Sequence, residues 1–208
     1  MASPFRIAVL ASGGGTNLQA ILDRLHGKGE VEVAGVVSDK PGARALERAE
    51  AAGVETGIFP GADYADREAR DAAIGDWLEE RGVALVVLAG YMQLLTPAFV
   101  ERFRNRIVNV HPALLPSFPG LEAVQQALDH GAWVTGVTVH YVDEGVDSGP
   151  IIFQRAVEVP QSRDWDELEA AIHETEHELL PAAIRAIAAG RVEIDPENPR
   201  LVRVRPGA

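Results

Sequence analysis

The stretch FRIAVLASGGGTNLQAILDRL, residues 5–25, decides the fold class. Residues 5–10 form an apolar run of strand length, residues 12–17 are rich in glycine, and residues 18–25 carry apolar side chains at helical spacing. A strand, a tight loop and a helix in this order open an α/β fold. Strand-like and helical segments alternate from there on, so we expect a mostly parallel sheet with helices on both faces.

Length, charge and composition limit the possible functions. The chain has 208 residues, no cysteine and a formal net charge of −12. We expect one domain, 1–208, whose C-terminal tail from about 191 to 208 is short and partly irregular. The missing cysteines exclude disulfides and cysteine-bound metals, and we expect a cytoplasmic protein. The acidic charge argues against nucleic acid as a partner, and no apolar stretch suits a membrane.

The glycine-rich loop at residues 12–17 is a candidate phosphate site. It offers consecutive backbone N–H groups at the start of a helix, where an anion is favoured. A P-loop is excluded because no Gly-Lys-Ser or Gly-Lys-Thr ending follows. A dinucleotide fingerprint is a weaker alternative, since Leu18 occupies the third glycine position. Asp39 nevertheless follows the loop at a sequence separation that suits a ribose contact. A tight turn without a ligand is the remaining interpretation.

Residues 107–116, IVNVHPALLP, place an amide and an imidazole at the end of an apolar strand. Asn109 and His111 are two residues apart and therefore share one face of that strand. Open parallel sheets bind ligands at such strand ends. An Asn side chain donates to an oxyanion and a His carries a proton near neutral pH, which suits acyl or formyl transfer. Alternatively, the pair is structural, with Asn109 capping a turn before Pro112.

Two apolar strands around the turn at residues 143–150 predict an antiparallel hairpin. The strands are residues 133–141 and 151–159. Asp147 lies in this turn, and beside His111 it would raise the imidazole pKa. We interpret His140 as a structural strand residue. A long helix is expected to follow from Asp164 or Asp166 to about 189, kinked or split in two by Pro181.

Residues 173–177, HETEH, match the helix pattern of zinc peptidases. Such a pattern arises readily on charged helices, Pro181 follows closely, and no other segment offers a clear third ligand. We therefore expect no metal here and interpret the segment mainly as a solvated helix, in which Glu176 can still face a ligand.

Four motifs in register identify the chain as similar to a known family. They are residues 12–20 (SGGGTNLQA), 88–92 (LAGYM), 109–116 (NVHPALLP), and 136–141 (GVTVHY) followed by 147–150 (DSGP). Together they resemble the folate-dependent phosphoribosylglycinamide formyltransferases of purine synthesis. The resemblance implies a single Rossmann-like domain that moves formyl from 10-formyltetrahydrofolate to the glycyl amine of 5-phosphoribosylglycinamide, as a monomer or homodimer and without metal.

The same resemblance implies residue roles. Asn109, His111 and Asp147 would be catalytic. The ribonucleotide would be bound by Gly14, Gly15, Thr16, Asn17, His173, Glu174, Thr175 and Glu176. The folate would be bound by Arg67, Met92, Gln93, Leu94, Leu95, Asn109, Asp143 and Asp147. Two residues depart from the pattern: Gln93 stands where some members carry Arg, and Glu122 where a His is common.

Other functions compete with this interpretation. Methionyl-tRNA formyltransferase and formyltetrahydrofolate deformylase share an Asn/His/Asp site, but we expect each of them to carry an additional domain. A non-catalytic nucleotide sensor would keep the glycine loop and would not need Asn109, His111 and Asp147 together. Formyl transfer activity separates these classes.

Overall fold

A computed structural model describes residues 3–207, and the chain divides into two compact units, Met1–Val108 and Asn109–Ala208. In the first unit the elements are β1 (Phe5–Leu10), α1 (Thr16–Arg24), β2 (Val31–Ser38), α2 (Arg44–Ala51), β3 (Thr56–Ile58), a 3₁₀ turn (Gly61–Asp63), α3 (Arg67–Glu80), β4 (Leu85–Leu88) and α4 (Pro97–Arg102). The next strand, β5 (Ile107–His111), spans the boundary.

The second unit continues with α5 (Ala123–Asp129), β6 (Val134–Tyr141), β7 (Ile151–Glu158), α6 (Trp165–Ala188), β8 (Val192–Ile194) and β9 (Val202–Val204). Over residues 3–207, seven strands form one sheet in the order β3-β2-β1-β4-β5-β6-β7, and β8 pairs with β9 separately. The predicted α/β class, with a mostly parallel sheet and helices on both faces, is confirmed.

The parallel half of the sheet follows from apolar strands that are covered on both faces. β1 pairs in parallel with β2 and β4, and β2 with β3. Residues 7–10 of β1 are fully buried, as continuous Val, Ile and Leu runs predict for parallel strands. The predicted hairpin is also confirmed, because β6 and β7 run antiparallel from Val134 opposite Glu158 to His140 opposite Ile151.

The last long helix differs from its prediction at Pro181. Asp164 caps α6 as expected, with its carboxylate accepting from the Glu167 amide at 2.9 Å. The helix then continues without interruption through Pro181 to Ala188, so the expected split does not occur. Leu180, Pro181 and Ile184 are all buried on its core side, and this packing outweighs the one backbone hydrogen bond that proline cannot donate.

Helix α5 follows a residue with a left-handed backbone. Leu121 is 76% exposed, and Glu122 has a left-handed backbone with φ at 59°, so the helix begins only at Ala123. None of the helices in residues 3–207 is both long and apolar enough to cross a membrane.

Candidate active site

Strand β5 delivers two polar side chains to one face of the second unit. Asn109 is half-buried and His111 is 4% exposed, with apolar Val110 between them pointing to the other face. The Asn109 amide and the His111 ring both reach the carboxylate of Asp147. Asn109 Nδ2 lies 3.3 Å from Asp147 Oδ1, and His111 Nδ1 lies 3.2 Å from Asp147 Oδ2. The fold therefore brings the three predicted catalytic residues together.

The turn between β6 and β7 carries Asp147 to this position. Asp147 has a left-handed backbone with φ at 50°, which Asp tolerates better than most residues. Two residues later, a Cβ on Gly149 would lie 1.9 Å from the Tyr141 carbonyl oxygen, so only glycine lets the chain pass there. Asp143 shapes the same turn, because its carboxylate accepts from the Gly145 amide at 3.0 Å and the Ser148 hydroxyl at 2.7 Å.

His140, which the sequence analysis treats as structural, belongs to this cluster. Its Nδ1 lies 2.8 Å from the Tyr141 carbonyl and must donate to it, which leaves Nε2 as the acceptor in the neutral ring. Nε2 lies 3.3 Å from Asn109 Nδ2 and 3.6 Å from Asp147 Oδ1. Its position at the end of an apolar strand, like that of His111 on β5, is the sequence signal that could have identified it.

Two main-chain groups complete the cluster. The Phe118 carbonyl accepts a hydrogen bond from His111 Nε2 at 2.8 Å, and the Gly120 amide donates to Asp147 Oδ2 at 2.8 Å. Phe118 has a left-handed backbone with φ at 54°, an uncommon conformation for a bulky residue. The segment between β5 and α5 thus contacts both candidate catalytic side chains, those of His111 and Asp147, through backbone atoms that no side-chain motif reveals.

Burial controls the charge states of the cluster. Burial lowers the pKa of His111 below 6.5, although the Phe118 hydrogen bond and the Asp147 charge act to raise it. The Asp147 carboxylate therefore acts on the His111 pKa in the expected direction, but desolvation outweighs it and the net shift is downward. Burial would raise the pKa of Asp147, but contacts with His140, the Gly120 amide and His111 bring it below 3.8. At neutral pH, Asp147 is ionised and His111 is mostly neutral.

The glycine loop of the first unit ends in an open set of backbone donors. Gly15 caps α1 with a left-handed backbone, and the amides of Gly14, Gly15 and Thr16 donate to no other group within residues 3–207. A Cβ on Gly15 would lie 2.8 Å from the Ala45 Cα, so this glycine is required. Asn17 is buried beside them at the start of the helix. The arrangement suits an anion.

The predicted folate segment of the first unit, residues 92–95, alternates in exposure. Met92 and Leu94 are 59% and 63% exposed, whereas Gln93 and Leu95 are half-buried. The segment is anchored because the Met92 amide donates to the Ser12 hydroxyl at 2.9 Å. An anchored segment with exposed apolar side chains can pack against a flat aromatic ligand.

Gln93 itself is committed to a hydrogen-bond network inside the first unit. Its oxygen accepts from Arg70 Nη1 and its nitrogen donates to Asp39 Oδ2, each at 3.0 Å. Arg70 is also paired with Asp71, whose second oxygen accepts from the Thr96 amide at 2.7 Å. The side chain of Gln93 is thus held in place by hydrogen bonds to other protein groups. Arg67, by contrast, is exposed at the start of α3.

Four predicted ribonucleotide contacts lie on α6. His173 and Thr175 are half-buried, Glu174 is exposed and Glu176 is 5% exposed. Thr175 donates back to the Ala171 carbonyl at 2.9 Å. Glu176, one turn after His173, is thus the most enclosed carboxylate of the HETEH segment.

The two HETEH histidines lie one turn apart on α6 without a third metal-ligating side chain beside them in residues 3–207. The rings of His173 and His177 stack in parallel with centroids 6.1 Å apart. Among residues 3–207, no three His, Cys, Asp or Glu side chains form a group that could hold a metal ion.

Comparisons with known proteins show the family to which the chain belongs. The formyl transferase family model matches residues 5–184. The phosphoribosylglycinamide formyltransferase of Bacillus subtilis is 42% identical, over 88% of this chain and 94% of its own length. The crystal structure of glycinamide ribonucleotide transformylase 1 from Symbiobacterium toebii is 50% identical and superposes with a TM-score of 0.92, covering 97% of this chain and 94% of that one.

Longer relatives match over the same region. The trifunctional purine biosynthetic proteins adenosine-3 of Drosophila melanogaster and Drosophila pseudoobscura pseudoobscura are 43% and 40% identical, over 92% and 95% of this chain. The chain spans only 14% and 15% of their lengths. From the family match and the full-length relatives together, the chain belongs to the formyl transferase family, among the phosphoribosylglycinamide formyltransferases.

Proposed function

We propose that the chain transfers the formyl group of 10-formyltetrahydrofolate to the glycyl amine of 5-phosphoribosylglycinamide, a step of purine synthesis. The observation that carries this proposal is the contact of Asp147 with both Asn109 and His111 at the end of β5. An amide donor, an imidazole and a carboxylate within one cluster suit addition to a carbonyl. We infer the two substrates from the family to which the chain belongs.

The reaction needs no covalent enzyme intermediate. The amine lone pair forms a bond to the formyl carbon, and the carbonyl electron pair moves onto oxygen. The electron pair on oxygen then re-forms the carbonyl while the bond from carbon to N10 of the folate breaks, with its electron pair going to N10. One proton leaves the amine and one is gained by N10, so the protein has to stabilise an oxyanion and relay a proton.

Asn109 is the proposed oxyanion donor. Both of its N–H groups face acceptors in the unliganded protein, Asp147 Oδ1 and His140 Nε2, each at 3.3 Å. These distances exceed the usual range for N–H donors, so the bonds are weak. The oxyanion of the tetrahedral intermediate carries its charge on one oxygen, whereas the Asp147 carboxylate spreads its charge over two, so the oxyanion is a stronger acceptor than either and can replace one of them. His140 and Asp147 keep the nitrogen of the amide directed into the site.

His111 is the proposed second donor and proton carrier. Its two ring nitrogens both face oxygens, those of Phe118 and Asp147, and only the imidazolium donates to both. The developing oxyanion adds a negative charge that favours this imidazolium during the reaction. When the substrate oxygen replaces the Phe118 carbonyl at Nε2, Asp147 continues to hold Nδ1.

Each unit contributes groups suited to part of the substrates. In the first unit, we assign the phosphate to Gly14, Gly15, Thr16 and Asn17, and part of the folate to Arg67 and residues 92–95. In the second, we assign the glycinamide and ribose to residues 173–176, and further folate contacts to Asp143 and Asp147. The unpaired loop amides and the exposed Met92 and Leu94 support these assignments.

A formyl transfer assay with alternative acceptors tests the proposal. The purified protein is given 10-formyltetrahydrofolate with 5-phosphoribosylglycinamide, with methionyl-tRNA, or with water alone. We expect formylation of the ribonucleotide only. Formylated methionyl-tRNA, or release of formate at a similar rate without an acceptor, would instead support one of the other folate formyl enzymes.

A further inference from the structure

We propose that Arg48 is a positioning residue for the phosphate loop, an inference that rests on the proposed function. Arg48 lies on α2, one turn after Ala45, and both residues contact the glycine loop. Its Nε donates to the Gly14 carbonyl at 2.8 Å, and its Nη1 donates to Gln19 Oε1 at 2.9 Å. No sequence motif of the loop includes this arginine.

The contacts from α2 fix the direction of the loop amides. In a planar trans peptide the carbonyl of one residue and the N–H of the next point in opposite directions. The Gly13 carbonyl accepts from the Ala45 amide at 3.1 Å, so the Gly14 N–H points away from α2. The Gly14 carbonyl accepts from Arg48, so the Gly15 N–H also points away from it. Two consecutive donors are thereby directed outward, where an anion can bind.

The same residues keep the loop close to both helices. Ala45 and Arg48 are three residues apart and therefore share a face of α2. Gly15 passes so near to Ala45 that no other residue fits, and Gln19 continues the contact along α1 through Asp23 at 2.9 Å. Arg48 thus joins α2 to the loop and to the first turn of the helix whose N-terminus would bind the phosphate.

Arg48 is proposed to act through the loop, because Nε and Nη1 already donate to protein oxygens. A positive charge beside the loop would favour anion binding by itself. The test therefore has to separate the effect of the Arg48 charge from its effect on the orientation of the loop amides. The chain offers a matched control in Arg44, which is exposed at the start of α2 and contributes the same charge.

The experiment compares Arg48→Met, Arg48→Lys and Arg44→Met with the unchanged protein. Calorimetry measures the affinity for 5-phosphoribosylglycinamide and for its dephosphorylated nucleoside, and thermal melting verifies folding. We expect Arg48→Met to weaken binding of the phosphorylated compound roughly tenfold, the effect of losing one hydrogen bond to a charged group. Binding of the nucleoside should not change. Arg48→Lys should also weaken binding of the phosphorylated compound, by most of the same factor, since an ammonium cannot maintain both contacts.

Four results would overturn the role of Arg48. If Arg48→Met weakens binding of both compounds equally, the substitution causes general structural damage. If Arg44→Met weakens binding as much as Arg48→Met does, the effect comes from the loss of positive charge alone. Full affinity in Arg48→Lys would show that the charge acts directly on the phosphate. If the unchanged protein itself binds both compounds equally well, the proposed function fails and the role of Arg48 with it.

A second readout follows the loop amides themselves. With ¹⁵N-glycine labelling, titration with inorganic phosphate should shift the Gly14 and Gly15 amide resonances in the unchanged protein. We expect these shifts to be lost in Arg48→Met and kept in Arg44→Met. Identical phosphate-induced shifts in all proteins would contradict a positioning role.

Discussion

Asp147 is the residue that connects the polar groups of the candidate site. Its two carboxylate oxygens contact Asn109, His111, His140 and the Gly120 amide. Since the carboxylate is half-buried and remains ionised, it fixes the orientation of every donor around it. Removing this one side chain therefore affects both proposed donors to the oxyanion.

Replacing Asn109 with Ala should remove one of these donors. We expect turnover to fall roughly 100-fold or more, while the KM values change less, because the oxyanion exists only in the transition state. Steady-state formyl transfer measures the effect, and a thermal melt verifies the fold. Asn198→Ala, in a surface turn of the tail, is the matched control. Near-normal turnover in a folded Asn109→Ala variant would exclude the oxyanion role.

The titration of His111 reports on its two neighbours. Because burial lowers its pKa, NMR should find a midpoint below about 6.5 in the unliganded protein. The charge of Asp147 acts to raise that pKa, so Asp147→Asn should lower the midpoint further. Glu144→Gln, which removes a charge from an exposed position in the same turn, should leave the titration of His111 as it is.

The same pKa has a consequence for stability. A folded-state pKa below that of the unfolded chain means that the unfolded chain binds more protons as pH falls below about 6.5. His111 therefore lowers the free energy of unfolding progressively in that range.

The NMR titration also has an outcome that would contradict the coupling. If His111 titrates identically with and without the Asp147 carboxylate, the two side chains are not coupled and Asp147 acts in another way.

At the scale of the elements, the conformation of the glycine loop depends on its contacts with α2. Gly15→Ala should both strain the left-handed backbone and collide with Ala45, lowering the free energy of unfolding by roughly 1–2 kcal/mol or more. Calorimetry should show weaker ribonucleotide binding with folate binding retained. Gly61→Ala is the control, because Gly61 lies outside the loop and its Cβ meets nothing within 4 Å. Unchanged ribonucleotide affinity in Gly15→Ala would place the phosphate elsewhere.

The HETEH segment bears on the chemistry of the whole molecule. We predict that activity persists after dialysis against a chelator and that elemental analysis finds no stoichiometric metal. The physical reason is that His173 and His177 stack on one helix, and no third ligand approaches them within residues 3–207. One zinc per chain, lost together with activity and restored with it, would reverse this interpretation.

The net charge of −12 also belongs to the whole molecule, because both proposed substrates are anionic. Long-range attraction cannot bring them to an acidic protein, so binding has to depend on short-range donors. The directed amides of Gly14 and Gly15 are such donors, since they carry no net charge and act only at contact distance.

Local patterns in the sequence determined the elements and part of the site. The apolar runs and the glycines predicted β1, its loop and α1, and Asp164, one of the two residues predicted to start the last long helix, is its cap. The two-residue spacing placed Asn109 and His111 on one face of β5. These predictions succeeded because strand alternation, helical spacing and capping depend on residues within a few positions of each other.

Only the tertiary structure decided which distant groups meet and what charge they carry. The contact of Asp147 with His111 joins residues 36 positions apart, and His140 and Arg48 enter their sites by the same long-range packing. The continuity of α6 through Pro181 and the lowered pKa of His111 depend on burial. Burial is a property of the packed chain, and no spacing of residues encodes how much water a side chain loses.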